Sequence, residues 1–251
     1  MTAPPEWITA HWPAPARVRT LLTTRQGGVS QAPFDSMNLG LLVGDDPEAV
    51  QRNRARLRAL LPHEPAWIRQ VHGNRVVDAG EALRGPLEAD ACMTREPGRV
   101  CVVLTADCLP VLLCDRAGTV VAAAHAGWRG LAGGVLEQSV RRLGVASAEL
   151  LAYIGPGIGR TAFEVGADVL QAFTADDAGA AACFTPKAAA ADGTPKWWCD
   201  LPGLARRRLL ALGVTAVHGG DRCTCSDPAH FYSHRRDRRT GRQAALIWIE
   251  P

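Results

Sequence analysis

The chain has 251 residues, 47% hydrophobic and 21% charged, a balance that supports a buried core and excludes disorder as its main state. Lys plus Arg number 28 against 25 for Asp plus Glu, a formal charge of +3, too small to make nucleic acid a default partner. The apolar stretch 100–114 is interrupted by Asp107 and Pro110, so nothing reads as a membrane span. Residues 1–7, MTAPPEW, lack the basic and apolar regions of a secretory leader. Eight dispersed cysteines fit a reducing compartment, where most serve as small buried apolar residues. A soluble, cytoplasmic protein is expected.

No Gly/Ser linker or charge run divides the chain, so a single domain over 1–251 is predicted. Residues 23–30, TTRQGGVS, form a polar glycine-containing loop. Asp46 then offers an N-cap with Pro47 at N1, predicting a helix over 47–61. Short apolar runs at 67–71, 100–105, 110–114 and 119–124 read as buried strands, the last two joined by the turn sequence Asp115-Arg-Ala-Gly118. After residue 130 the period becomes helical, with Leu131, Val135, Leu136, Val140 and Leu143 on one face and Gly144 as the stop. A strand at 150–154, a Gly-Pro-Gly loop, helices at 167–173 and 202–212, and a strand at 243–249 follow. Residues 175–195, low in complexity, read as a flexible surface insertion. Helices mixed with strands and a hairpin imply an α/β sandwich around a central mixed β-sheet flanked by helices.

Three metal-ligand side chains stand at the ends of predicted strands: His72 after Val71, Cys108 after Thr105, and His125 after Ala124. Two imidazoles and a thiolate suit Zn²⁺, and three protein ligands leave a tetrahedral corner for water or substrate. Buried structural His and Cys are the alternative, because the spacings are not those of a local chelate. Asp107 sits in an apolar segment and needs a polar partner, either an Arg or backbone cluster or a ligand histidine whose tautomer it fixes. The turn at 127–130 places Arg129 beside a helix N-terminus, an arrangement that holds anions, phosphate included. Arg25, Asn38, Arg54 and Arg235 are further polar candidates, each otherwise an ordinary surface residue. Glu164 is read as a general acid or base or as a helix cap. Cys223 and Cys225 lack a second ligand pair at finger-like spacing, so no zinc is assigned to them.

The ordered motifs TTRQGGVS at 23–30, DSMNLG at 35–40, GDDP at 44–47 with Asn53-Arg54, QVHG at 70–73, ADA at 89–91, TADCLP at 105–110, HAGWRG at 125–130, GPG at 155–157, FEVG at 163–166 and RRD at 235–237 resemble the YfiH-type family along nearly the whole chain. These proteins are also called laccase-domain or multicopper polyphenol oxidase proteins and purine nucleoside phosphorylases. The resemblance implies zinc on His72, Cys108 and His125, with Cys108, His72, His125, Asp107 and Glu164 as catalytic candidates. Arg25, Asn38, Arg54, Arg129 and Arg235 are implied for phosphate or ribose. The chain departs from the family's common Ser-Tyr at Ser233-His234, which leaves the part played by His234 open.

The activities implied are phosphorolysis of adenosine, inosine, guanosine and methylthioadenosine, deamination of adenosine, and editing of peptidoglycan precursors. A divalent ion that lowers the pKa of water suits deamination, although the His-x-Glu and Pro-Cys-x-x-Cys pattern of common zinc deaminases is absent. Phosphorolysis needs an anion site beside the ribose. Four-copper laccase chemistry is disfavoured, since the 7 histidines include no His-x-His pair, and copper enters only as a substitute for zinc. Two other readings stand: a thiol hydrolase of amidase type with Cys108 as nucleophile, and a small-molecule-binding protein with a structural zinc. Small-molecule partners are expected, without membrane or nucleic acid, with a monomer or a small homo-oligomer both open.

Overall fold

The computed structural model describes residues 7–85 and 87–251; the leader reading falls mainly on residues outside that range. A four-stranded sheet runs in the order β1 (Val18–Leu22), β13 (Gln243–Ile249), β5 (Val100–Thr105), β2 (Pro65–Ala66), antiparallel except for β2 with β5. A six-stranded sheet runs β12 (Ala216–Gly219), β8 (Leu150–Ile154), β6 (Leu109–Asp115), β7 (Val121–Ala126), β4 (Ala91–Thr94), β3 (Val76–Asp78), parallel only at its two edge pairs. A small antiparallel sheet joins β10 (Phe184–Lys187), β11 (Lys196–Cys199) and β9 (Glu164–Val165). The mixed α/β class is as expected, with two packed sheets in place of one central sheet.

Side-chain alternation assigns the faces. Cys101 and Val103 of β5, Ala245 and Ile247 of β13, Leu112 and Cys114 of β6, and Val121 and Ala123 of β7 fill the space between the two large sheets. Val100, Val102, Ala244 and Leu246 face outward beneath Leu57 of α1 (Pro47–Arg58). Val111, Leu113, Ala122 and Ala124 face the other way, beneath α3 (Trp128–Ala132), α4 (Val135–Leu143), α5 (Ala167–Thr174) and α6 (Leu201–Ala211). Two short helices, α2 (Ala79–Ala82) and α7 (His234–Asp237), complete the set. Leu112 is fully buried between the sheets, so Leu112→Ala is expected to cost about 2–5 kcal/mol in denaturant unfolding. A loss below about 1 kcal/mol would deny that close packing.

Local chemistry explains several boundaries. Asp46 caps α1 by accepting the Glu48 amide at 3.0 Å, with Pro47 at the position where its missing N–H costs nothing. In the β6–β7 hairpin the Asp115 carboxylate accepts the Thr119 amide and hydroxyl, both at 2.6 Å, while Gly118 takes a φ of +67°. Three expectations are corrected. Residues 67–71 form no strand: pairing stops at Ala66, and only Arg69 bridges Glu88. The predicted helix after residue 130 breaks between α3 and α4, where Gly134 adopts φ +89°. Residues 175–195 are not a loose insertion throughout, since residues 178–183 form a 3₁₀ turn, β10 pairs with β11, and Ala180 and Phe184 enter the core.

Candidate metal centre

His72, Cys108 and His125 converge. One ligand atom from each lies within 4.8 Å of the other two, and they form the one group of three or more such side chains with metal-holding geometry among the described residues. His125 is on β7 near its end, buried; Cys108 immediately precedes β6 and is half-buried; His72 is exposed on the loop after β2. The β6–β7 register pairs Leu109 with Ala126, which sets Cys108 against Gly127. Cys108 Sγ stands 3.7 Å from His72 Nε2, and the two imidazole rings meet edge to face with centroids 4.8 Å apart.

Asp90, wholly buried, organises this group. The β4–β7 register pairs Ala91 with Ala124, so Asp90 faces His125 one step further on, and the His125 amide donates to the Asp90 carbonyl at 2.7 Å. Its carboxylate lies 2.8 Å from His125 Nδ1 and accepts the amides of His72 at 2.9 Å, Gly73 at 2.6 Å and Val71 at 3.2 Å. His72 adopts φ +60°, a left-handed conformation costing roughly 1–2 kcal/mol, and these bonds hold it there. Burial pushes the Asp90 carboxyl up, but the bonds from His125, Gly73 and Val71 and the His125 charge hold it below the usual carboxylate range.

Burial likewise opposes ionisation of Cys108, yet the charge and hydrogen bond of His125, joined by those of His72, bring its thiol below the ordinary value. Burial disfavours a charged His125, but the Cys108 thiolate and Asp90 outweigh it and raise its pKa. Gly127 leaves room for the group: a Cβ there would stand 2.8 Å from Cys108 Sγ and 2.9 Å from His72 Cδ2. Gly127→Ala is therefore expected to fold but to take up much less added zinc than the wild type by elemental analysis, whereas equal uptake would deny that the three side chains need this space. The donor set, its shared carboxylate and this cradle fit a zinc ion held at His72, Cys108 and His125.

The triad opens on a cleft of about 700 Å³ lined also by residues 40–43, Arg54, Trp67, Gln70, Arg129, His234 and Arg242. Arg54 donates to the Leu39 carbonyl through Nε at 3.0 Å and Nη2 at 2.9 Å, and lies 3.8 Å over the Trp67 ring. Burial lowers its pKa to about 10, with Glu64 acting in the opposite sense, so it stays charged at neutral pH. Arg129 is exposed, stacked on Trp128 at 4.3 Å. Its helix spans only 5 residues, so the arginines, more than the helix end, supply positive charge.

Other predicted residues lie elsewhere. Asp107 contacts neither histidine: its carboxylate accepts the Thr224 hydroxyl at 2.7 Å and the Arg235 amide at 2.6 Å. Glu164 pairs with Lys187, which draws its carboxyl down by hydrogen bonding, and it does not line the cleft. Asn38 is buried and spent on Gly40, Asp45 and the Arg242 amide. Arg25 ties Asp35 to the Pro228 carbonyl, and Arg235 donates to the Glu164 carbonyl at 2.9 Å. These five do not line the cleft.

This geometry defines a group of three side chains that could hold a metal ion, on the wall of a cleft that Arg54, Arg69, Arg129 and Arg242 also line. A family model described as multi-copper polyphenol oxidoreductase laccase matches residues 19–250. The chain is 57% identical over 244 residues to purine nucleoside phosphorylase PA4543 of Pseudomonas aeruginosa, covering 97% of this chain and 98% of that one. It is 48% identical to purine nucleoside phosphorylase YfiH of Escherichia coli, covering 96% and 98%. The solved structure of Neisseria meningitidis protein NMB0706 superposes with a TM-score of 0.92 at 51% identity, covering 98% of this chain and 99% of that one. The chain belongs to this YfiH-type, laccase-domain family.

Sequence reasoning gave no site role to Asp90, Gln70 and Gly127, although they lie within the quoted motifs, and did not single out Arg242. Asp90 carried a usable signal, a lone carboxylate among Ala89, Ala91 and Cys92 that must find partners. Nothing local marked Arg242, whose position follows from the register of β13.

Proposed function

We propose that this chain is a zinc-dependent purine nucleoside phosphorylase acting on adenosine, inosine, guanosine or methylthioadenosine with phosphate. The observation that carries the reading is the convergence of His72, Cys108 and His125 within 4.8 Å on the wall of a cleft that also holds Arg54, Arg129 and Arg242. The names of the relatives support it. The donors favour zinc over a multicopper assembly, which needs more centres than the one group found among the described residues.

When bound, zinc supplies Lewis-acid polarisation and a fixed point for orienting the nucleoside. The rest falls to the chain. Arg54, Arg129 and Arg242 neutralise the phosphate and hold it beside the ribose. Arg54 is fixed beforehand by the Leu39 carbonyl and Trp67, so little freedom is lost on binding. A phosphate oxygen forms the bond to C1′ as the C1′–N9 bond breaks, and the electron pair leaves with the purine, which takes up a proton. Among the described residues, His234 is the one titratable lining side chain besides the triad and the arginines. Its Nδ1 lies 2.6 Å from the Arg238 carbonyl, leaving Nε2 to hold or deliver that proton. Leu41 and Leu42 give the cleft an apolar rim for the base.

A second reading follows from the same sulfur. A Cys108 thiol drawn down by two histidines suits a nucleophile, and a thiol hydrolase of amidase type acting on peptidoglycan precursors would use it without metal. Incubating zinc-loaded protein with adenosine, with and without phosphate, separates the readings. Adenine plus ribose 1-phosphate, formed only with phosphate, is the expected result. Inosine would assign adenosine deamination, and formation of neither set of products would overturn the nucleoside reading. A metal-free enzyme that stays active until its thiol is alkylated would favour the hydrolase.

A further inference from the structure

Of three metal ligands, two are held by one buried carboxylate that is not itself a ligand. We propose that Asp90 is the positioning residue of the metal centre, holding the proton of His125 on Nδ1 so that Nε2 faces the ion, while its bonds to the loop amides aim His72 at the same point. The inference rests on the zinc reading above.

The hydrogen-bond geometry supports the assignment. The Asp90 carboxylate meets His125 Nδ1 at 2.8 Å and the His72, Gly73 and Val71 amides at 2.6–3.2 Å. Every one of those amides is a donor, and an ionised carboxylate is acceptor-only, so the shared oxygen requires His125 to be the donor at Nδ1. The ring is then left with Nε2 as its lone-pair nitrogen, the form a metal needs. The His72 ring meets Cys108 Sγ at 3.7 Å and is bonded by no carboxylate among the described residues; Asp90 orients it through the backbone at a residue with φ +60°, and Gly130 admits the loop, since a Cβ there would stand 2.7 Å from the Gly73 carbonyl. Asparagine cannot replace this arrangement. Its single oxygen can serve the amides or the ring, and its NH₂ must then confront a donor or turn His125 to the opposite tautomer.

The test is zinc affinity, by competition with a chelator, for the wild type and Asp90→Asn, with circular dichroism of both and a proton–nitrogen correlation spectrum of the zinc-loaded wild type. Asp90→Asn should stay folded and bind zinc about 10–100-fold more weakly. In the wild type, His125 should carry its proton on Nδ1. Wild-type affinity in the folded variant, or a proton on Nε2 of wild-type His125, would overturn the proposal. If the variant does not fold, the wild-type spectrum decides. Failure of the wild type to bind zinc at all is a separate result, which refutes the metal reading and the role of Asp90 with it.

Discussion

Cys108→Ala is expected to abolish stoichiometric zinc binding and to lower kcat/KM for adenosine phosphorolysis on the order of 1,000-fold, about 4 kcal/mol of lost stabilisation. The sulfur is the one anionic ligand of the three, and without it two imidazoles held by the backbone and Asp90 face an incomplete tetrahedron. Elemental analysis and product assays read the two losses together. A variant that loses zinc yet keeps its rate would make the metal structural. The same centre has a definite pH sign. The pKa of metal-free His125 is raised and that of Cys108 lowered, so before zinc arrives the pair favours imidazolium beside thiolate. Zinc requires the thiolate and the neutral ring, so binding releases the His125 proton and affinity rises with pH. Acidification from about pH 7 to about pH 5 should therefore release zinc, first through protonation of histidine and then of the thiolate.

Arg54→Gln is expected to lower kcat/KM for phosphate by about 10–150-fold, the loss of one charge-assisted contact of about 1.5–3 kcal/mol. The effect should fall on phosphate more than on nucleoside. Arg54 is held at its Nε and Nη2 by the Leu39 carbonyl and stacked on Trp67, so its charge reaches the cleft from a fixed position. Arg25, committed to Asp35 and Pro228, provides the contrast: Arg25→Gln should leave phosphate saturation unchanged. Equal effects from both substitutions would mean that the cleft arginines do not hold phosphate.

Much of this was legible in the chain. Strands at 100–105, 150–154 and 243–249 emerge where long β-branched or apolar runs are buried on both faces, and their observed limits coincide with those read from sequence. β4, with the sequence Ala-Cys-Met-Thr, is short and has a single β-branched residue to announce it, yet it positions Asp90. The metal ligands were legible as residue types at predicted strand ends and through the family resemblance. Their convergence depended on register, which pairs Leu109 with Ala126 and Ala91 with Ala124 across three strands. For the same reason Asp107, adjacent in sequence to Cys108, drew attention that belonged to Asp90. At Asp107 the backbone turns with φ +88°, and its carboxylate meets Thr224 and Arg235 instead.

Zinc K-edge absorption on the purified, zinc-loaded protein tests the metal assignment most directly, because scattering counts the sulfur ligands without reference to activity. The account predicts one sulfur at about 2.3 Å and two imidazole nitrogens at about 2.0 Å, with one further light atom. A shell with two or more sulfurs, or with none, would contradict a centre built from His72, Cys108 and His125.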